Sequence, residues 1–255
     1  MYKKLIFLIA FFIFPTSGIV TGSVLTIPPL RIHGADLACI QAKNGLPIKT
    51  IEYMKRKSKS NPDLNDKVKK LEEVDLSNGY SSSYMETFVQ QLLPIANLIE
   101  KETGIPAVIS ISQAALESGW GGSNPTVLNN NILGISTGGR SGSFEINLSL
   151  GDETIKLEVN RKTGERYFHF DYTDDCIYYY TYLLLQNIRN EQHYRRLRKY
   201  ISENSFDSDS PEHKRKVLSY ISEGYHPSPT LYTSRVQGVM NEVKPIIRKI
   251  SDRGN

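Results

Sequence analysis

One glutamate stands where this sequence could carry acid–base chemistry. Glu117 lies within the run from Ser112 to Gly121 (SQAALESGWG), in the last turn of a predicted apolar helix and close to the only tryptophan, Trp120. The carboxyl-terminal end of a helix carries negative partial charge, and apolar neighbours desolvate a carboxyl group. Both effects raise the pKa of such a group, as a general acid requires near neutral pH. The alternative is an ordinary solvent-exposed glutamate at a helix end, which physical chemistry alone favours.

Other catalytic signatures lack the sequence context that they need. Residues 134–138 (GISTG) fit the G-x-S-x-G pattern, but the glycine-rich residues that follow cannot begin the helix that a nucleophile elbow requires. The five histidines show no metal-ligand spacing, and neither a phosphate-binding loop nor a dinucleotide fingerprint occurs. The sequence therefore predicts no metal site and no cofactor.

The first 24 residues have the organisation of a secretory signal. Lys3 and Lys4 precede ten apolar residues, and Thr16 and Gly18 then offer the small residues found before a cleavage site. The apolar run is too short to span a bilayer comfortably, although the apolar residues after it leave an uncleaved membrane anchor as the alternative. We therefore expect export to the periplasm or cell envelope, with a membrane tether through the N-terminus if the signal is kept.

The charge balance changes when this segment is set aside. The chain has 31 basic and 27 acidic residues, a net charge of +4, and residues 1–24 contain two of the lysines and no acid. The rest of the chain is therefore close to neutral, which together with the export signal disfavours nucleic acid as a partner. The only two cysteines, Cys39 and Cys176, either pair in an oxidising compartment or remain buried thiols.

The remaining chain divides into a connector and one domain. Prolines and a charge run punctuate residues 25–79, as is typical of a connector or peripheral segment. Over residues 80–250, apolar residues at helical spacing predict helices on both sides of an extended loop. Alternating residues at 144–159 predict two strands, and residues 166–170 predict a third. The predicted fold class is α+β, mainly helical with a small antiparallel β lobe.

The motif around Glu117 resembles a known family. The run from Phe88 to Gly121 is similar to the opening of the bacterial glucosaminidase domain, glycoside hydrolase family seventy-three, which includes cell-wall autolysins. Residues 130–134 (NNILG) resemble the family's N-N-L-F-G, and residues 182–240 are most similar to its Bax-type branch. The resemblance implies a lysozyme-like fold and hydrolysis of the β-1,4 bonds that follow N-acetylglucosamine in peptidoglycan glycan strands.

The resemblance also assigns site residues. The family's catalytic acid falls on Glu117 and its active-site tyrosine on Tyr225, which has Tyr232 seven residues after it, as in the family's tyrosine pair. For Trp120, the resemblance implies stacking on a sugar face, and core packing is the alternative. The residues assigned to shaping or contacting the substrate groove are Trp120, Asn131, Gly134 and Tyr232.

A second catalytic carboxylate is harder to assign, because the segment after Gly134 departs from the family pattern, as do Ser112 and Leu133. Glu158 is the nearest analogue of the second acid that some members carry, and its competitors are Glu145, Asp152, Glu153 and Glu165. Glycosidases generally use two carboxylates. Two mechanisms remain open: a lobe carboxylate that activates water with inversion, or attack by the substrate's own 2-acetamido oxygen with Tyr225 assisting, which the weak match of the lobe favours.

Two other functions compete with glycan hydrolysis. The first is a peptidoglycan-binding module of the same fold that has lost catalysis, an alternative suggested by the poorly matching middle segment. The second is a cell-wall amidase, which would normally need a metal site or an activated nucleophile, and the sequence displays neither.

Overall fold

The computed structural model describes residues 32–34, 36–37, 84–138, 142–161, 166–186, 191–204, 207 and 209–254. The predicted signal, nearly all of the predicted connector, Cys39 and Glu165 lie outside these residues. In chain order the elements are α1 (Tyr84–Thr103), α2 (Ala107–Ser118), α3 (Asn124–Asn129), β1 (Phe144–Leu150), β2 (Glu153–Val159), α4 (Thr173–Leu185), α5 (Glu191–Glu203), α6 (Pro211–Tyr225) and α7 (Pro229–Gly254).

Helix α2 occupies the centre of the fold. It packs against both α1 and α7, and nine of its 12 residues are buried. A helix enclosed on nearly every side has no wide polar face, which explains why the apolar residues of α2 do not form a single stripe. The helix ends where Gly119 adopts a left-handed conformation, with φ at 56°, and the N–H of Trp120 donates to the carbonyl of Ala115 at 2.9 Å. This Schellman arrangement fixes Glu117 in the final turn.

Helix α1 runs through its proline without dividing. Proline inside a helix commonly kinks or breaks it, but a single helix spans Tyr84–Thr103 with Pro94 inside it. Pro94 lies on the exposed side of the helix, where a carbonyl that loses its helical donor can bond to water. Residues 104–106, with Gly104 first and Pro106 last, form the short connection between α1 and α2.

The β lobe consists of one antiparallel hairpin. Strands β1 and β2 pair in the register Ile146↔Leu157 and Leu148↔Ile155, and the buried residues alternate along each strand as the sequence predicts. The predicted third strand at 166–170 is wrong: within the described residues this segment forms only isolated bridges, Ser136↔Tyr167 and Asn160↔His169. A side chain, that of Asn131, takes up the Phe168 carbonyl there, so a continuous ladder does not form.

A short additional helix lies where the sequence predicts an extended loop. The short helix α3 forms inside the segment that was predicted to be an extended loop, with Pro125 in its first turn. Helix α4 ends at Leu185. The predicted class is nevertheless confirmed, because the described residues form a mainly helical domain with one small antiparallel sheet. Within the same residues, no helix combines the length and the apolar character needed to cross a bilayer.

A buried carboxylate fastens the far end of α7 to α1. Glu86, only 5 % exposed, accepts a hydrogen bond from Lys249 and another from Arg253, each at 2.6 Å. The hydrogen bond and charge of Lys249, with those of Arg253, hold the pKa of Glu86 below its usual value against the opposing effect of burial. We call this arrangement the Glu86 latch.

The latch makes stability depend on pH in a defined direction. Because the pKa of Glu86 is lowered in the folded chain, its contribution is present above the ordinary glutamate pKa and is lost as the pH falls through the folded value. Glu86→Gln should lower the free energy of unfolding by about 1–2 kcal/mol at pH 7. Urea denaturation at about pH 7 and about pH 3 should show a smaller deficit at the lower pH, because a protonated Glu86 resembles glutamine.

A suitable control for the latch is Glu242→Gln. Glu242 lies exposed on α7, the helix that carries Lys249 and Arg253. Its substitution should leave the free energy of unfolding close to that of the parent at both pH values. A deficit in Glu86→Gln that stays constant between pH 7 and pH 3 would contradict the electrostatic account of the latch.

Candidate active site

The carboxyl group of Glu117 is partly buried between three helices. It projects from the last turn of α2, and the Tyr232 hydroxyl of α7 donates a hydrogen bond to it. Burial raises the pKa of Glu117, and the Tyr232 hydrogen bond and the nearby charges of His226 and Arg235 offset part of that rise. The net shift is upward, so Glu117 holds a proton at higher pH than an exposed glutamate does.

A stack of aromatic rings holds the tyrosine hydroxyls in place. The ring of Tyr232 lies 5.0 Å from that of Tyr225 at 29°, and 5.3 Å from that of His226 at 10°. Tyr225 in turn meets Tyr180 edge-on at 5.7 Å. Burial raises the pKa of both Tyr225 and Tyr232 well above the usual tyrosine value, so both hydroxyls keep their protons.

The two tyrosines of the predicted pair have different partners. Tyr225 donates its hydroxyl hydrogen to the backbone carbonyl of Leu133 at 2.8 Å, whereas Tyr232 directs its hydroxyl to Glu117. The resemblance placed the active-site tyrosine at Tyr225. Both tyrosines lie at the site, but the hydroxyl that acts on the acid as a hydrogen-bond donor belongs to Tyr232.

Three further residues at the site were not singled out from the sequence. Gln113 lies four residues before Glu117 on α2 and donates from Nε2 to the hydroxyls of Tyr180 at 3.0 Å and Tyr232 at 3.2 Å. His226 and Arg235 supply the positive charge near the acid. Their spacing in the sequence could have identified two of them. Gln113 lies four residues before Glu117 and Arg235 three residues after Tyr232, and side chains at such spacings share a helix face.

The loop that receives Tyr225 is held by Asn131. This side chain is fully buried; Nδ2 donates to the carbonyls of Ile135 at 2.9 Å and Phe168 at 3.0 Å, and Oδ1 accepts from the Ile135 N–H at 2.8 Å. The hydrogen bonds of Asn131 therefore go to the protein, and the role that they support is to position the Leu133 carbonyl. Gly134 allows the loop to turn, since its φ of 61° is one that other residues adopt only with strain.

Trp120 sits just beyond the acid in the turn after α2. Its ring packs edge-on against Phe88 at 5.5 Å and Tyr84 at 6.1 Å, so one side of the indole rests on α1. Its φ of 60° is uncommon for a bulky residue and adds local strain at this turn. Core packing, the alternative weighed from the sequence, thus describes part of the ring, and the rest stays exposed at the protein surface.

Glu158, the predicted second acid, faces solvent on the β lobe. Glu158 lies on the exposed face of β2, directly across from Glu145 of β1. Two like charges opposite each other destabilise a hairpin slightly. The charged groups that act on Glu117 within the described chain are His226 and Arg235, and no carboxylate is among them.

Neither Cys176 nor a metal-binding cluster adds a second site within the described residues. Cys176 is a buried free thiol that donates to Asn131 Oδ1 at 3.4 Å, and burial raises its pKa to about 12. A thiol of that kind is inert. In the part of the chain that the structure describes, no three histidine, cysteine, aspartate or glutamate side chains group closely enough to hold a metal ion.

The role of Asn131 leads to a stability prediction. Asn131→Ala leaves the Phe168 carbonyl and both Ile135 backbone groups without the side chain that now bonds them, so we expect unfolding free energy to fall by about 3 kcal/mol. Urea denaturation followed by circular dichroism measures this loss. Asn147→Ala, on the exposed face of β1, is the matched control and should change stability little. Equal stability of the two variants would contradict the assignment.

The comparisons with known proteins agree with this geometry. The model of the glucosaminidase family, described as mannosyl-glycoprotein endo-beta-N-acetylglucosaminidase, matches residues 93–245. No curated protein sequence gives a significant match.

Several solved structures are similar to the chain at low identity. The catalytic domain of the autolysin Auto from Listeria monocytogenes is 17 % identical, with 66 % of this chain and 89 % of that one covered and a TM-score of 0.44. The glycoside hydrolase domain of FlgJ from Salmonella typhimurium is 20 % identical, with 66 % and 94 % covered and a TM-score of 0.41. A peptidoglycan hydrolase mutant from Sphingomonas sp. A1 is 18 % identical, with 64 % and 99 % covered and a TM-score of 0.42.

The family match spans more than half of the chain and contains Glu117, Tyr225 and Tyr232. The α+β class expected from the sequence, mainly helical with a small antiparallel sheet, is that of the described fold. The chain therefore belongs to the glucosaminidase family and is a glycoside hydrolase.

Proposed function

We propose that this glycoside hydrolase is exported and cleaves the β-1,4 bond after N-acetylglucosamine in peptidoglycan, with Glu117 as the general acid. The observation that carries the assignment of the acid is the environment of Glu117: a carboxyl group whose pKa is raised by burial, facing the protonated hydroxyl of Tyr232 and the side chains of His226 and Arg235. A carboxylic acid that keeps its proton to higher pH than usual is better able to protonate a leaving glycosidic oxygen. The resemblance to cell-wall autolysins supports peptidoglycan as the substrate.

The charges around Glu117 bear on which group attacks the anomeric carbon. A carboxylate about 5 Å away, as in a retaining enzyme with its own nucleophile, would repel the ionised form of Glu117 and raise its pKa. The nearby charges in the described chain are cationic instead. This pattern favours attack by the 2-acetamido oxygen of the substrate, and the other mechanism open to the site is a more distant lobe carboxylate that activates water.

The favoured mechanism has two displacements at the anomeric carbon, with Glu117 giving up a proton in the first and regaining one in the second. The acetamido oxygen forms a bond to the anomeric carbon as the glycosidic bond breaks, and the leaving oxygen takes the proton of Glu117. Water then opens the cyclic intermediate and returns a proton to Glu117, which restores both the acetamido group and the acid. Two displacements at the anomeric carbon leave its configuration retained.

Tyr225 suits one particular task in this mechanism. Its hydroxyl hydrogen is committed to the Leu133 carbonyl, so towards a substrate its oxygen acts as a hydrogen-bond acceptor. The N–H of the acetamido group is the donor that such an acceptor would hold, with the carbonyl oxygen then turned towards the anomeric carbon. We infer that Tyr225 orients the acetamido group in this way.

The acid assignment is tested by Glu117→Gln. The variant keeps the size of the side chain and removes its proton, so the fold should persist while release of fragments from peptidoglycan sacculi falls by at least about 100-fold. Glu242→Gln, an exposed glutamate on α7, should retain the parent activity.

Analysis of the released ends separates this proposal from its rivals. N-acetylglucosamine at the new reducing ends supports the proposed cleavage. Binding to sacculi without release would instead identify a binding module, and new peptide termini with an intact glycan would identify an amidase. Turnover by Glu117→Gln at the parent rate would remove Glu117 from the mechanism.

The stereochemistry of the first product distinguishes the two mechanisms. We expect proton NMR of a chitooligosaccharide or muropeptide digest to show the β anomer first, before mutarotation, because substrate-assisted cleavage retains configuration. Glu158→Gln and Glu145→Gln should then turn over at nearly the parent rate. An α anomer as first product, with loss of activity in Glu158→Gln, would establish the inverting mechanism and Glu158 as its base.

A further inference from the structure

Gln113 is a buried amide that neither the sequence nor the reaction explains. It is 1 % exposed in the interior of α2, one turn before Glu117. A buried amide in an apolar helix costs free energy unless it is hydrogen-bonded, and a leucine or methionine would fit such a helix at less cost. Its retention in this position calls for a reason other than packing.

The contacts of Gln113 have a direction. Its Nε2 donates to the hydroxyl oxygens of Tyr180 on α4 and Tyr232 on α7. A hydroxyl oxygen that accepts a hydrogen bond still has its own single hydrogen to give. For Tyr232 that hydrogen goes to Glu117. The chain of donors therefore runs from Gln113 through Tyr232 to the carboxyl group.

The acid explains which way the amide faces. An ionised carboxylate only accepts hydrogen bonds, so the bond between Tyr232 and Glu117 needs the tyrosine hydrogen. If the oxygen of Gln113 faced Tyr232 instead, it would compete for that same hydrogen. Within the described residues, Oε1 of Gln113 is buried and has no hydrogen-bond partner, so the observed orientation satisfies the tyrosines and not the amide oxygen.

We propose that Gln113 is a positioning residue, which directs the hydroxyl of Tyr232 at Glu117 and thereby sets the strength of the proton held by the catalytic acid. This inference rests on the proposed role of Glu117. Gln113 itself touches neither the acid nor, by its burial, a substrate.

The surroundings of Glu117 allow this effect to be isolated. Several titratable groups face the acid or its tyrosines: Tyr232 and Arg235 from α7, Tyr225 and the adjoining His226 from the end of α6, Tyr180 and Cys176 from α4, and Tyr194 from α5. The tyrosines remain protonated through the neutral range because burial raises their pKa values, to about 12 for Tyr194. Within the described residues, the hydrogen bonds of Gln113 go to Tyr180 and Tyr232 and not to His226 or Arg235.

The test measures the pKa of Glu117 in the free protein, so it does not depend on turnover. The full chain is labelled with carboxyl ¹³C-glutamate and titrated by NMR, and the Glu117 signal is identified by its loss in Glu117→Gln. In Gln113→Met, which preserves length and helix propensity, we expect the pKa of Glu117 to rise by about half a unit to one unit. The alkaline limb of kcat/KM should move upward with it, since the acid must be protonated to act.

A double-mutant cycle shows whether the effect passes through Tyr232. Tyr232→Phe removes the donor to Glu117 and should raise the pKa at least as far, and adding Gln113→Met to it should then produce no further rise. Tyr180→Phe, which removes the other partner of Gln113, is the matched control and should leave the pKa of Glu117 unchanged.

Two results would overturn the inference. One is a folded Gln113→Met in which Glu117 titrates as in the parent, and the other is an equal shift with and without the Tyr232 hydroxyl. If the pKa shifts as expected but no variant, nor the parent, cleaves peptidoglycan, the positioning role stands and the proposed function fails.

Discussion

Removing a carboxyl group from water destabilises its ionised form. The packing around α2 keeps the carboxyl group of Glu117 partly out of water. The helix is buried on almost every side by α1 and α7, so its last turn reaches the edge of the interior rather than open solvent. Gly119 ends the helix two residues after Glu117, so the acid lies in the last helical turn. The position of the acid is thus a consequence of where one buried helix stops.

Tyr225 and Tyr232 show how partners rather than residue type determine a role. They are seven residues apart, their rings stack, and burial keeps both protonated. One lies at the end of α6 and bonds to a loop carbonyl, while the other lies in α7 and bonds to the acid. Because the chain turns between the two helices, Tyr225 supports the loop while Tyr232 donates to the carboxyl group.

The sequence predicted features that depend on local periodicity and missed those that depend on distant partners. The long helices and the β1–β2 hairpin follow from apolar spacing, and the buried positions of the hairpin alternate as expected. The third strand failed because a side chain, Asn131, occupies its hydrogen-bonding position, and α3 was hidden in a composition typical of loops.

The same distinction applies to the site. Glu117 was identifiable because its motif is contiguous, whereas the function of Gln113 depends on hydroxyls contributed by α4 and α7, more than sixty positions away in the chain. The carboxylates of the lobe could not be ranked from sequence, because their order along a hairpin does not give their separation from a helix end. Glu158 and Glu145 share an exposed face of that hairpin.

The Glu86 latch has a consequence for where this domain should be considered to begin and end. Both of its sides lie outside the matched family range of 93–245, with Glu86 before it and Lys249 and Arg253 after it. Helix α7 carries Tyr232 near one end and the latch about 30 Å away near the other, so the helix that serves the acid is anchored beyond the range that defines the family. Boundaries drawn from family similarity alone would include every residue of the site and omit the anchor of the helix that presents Tyr232.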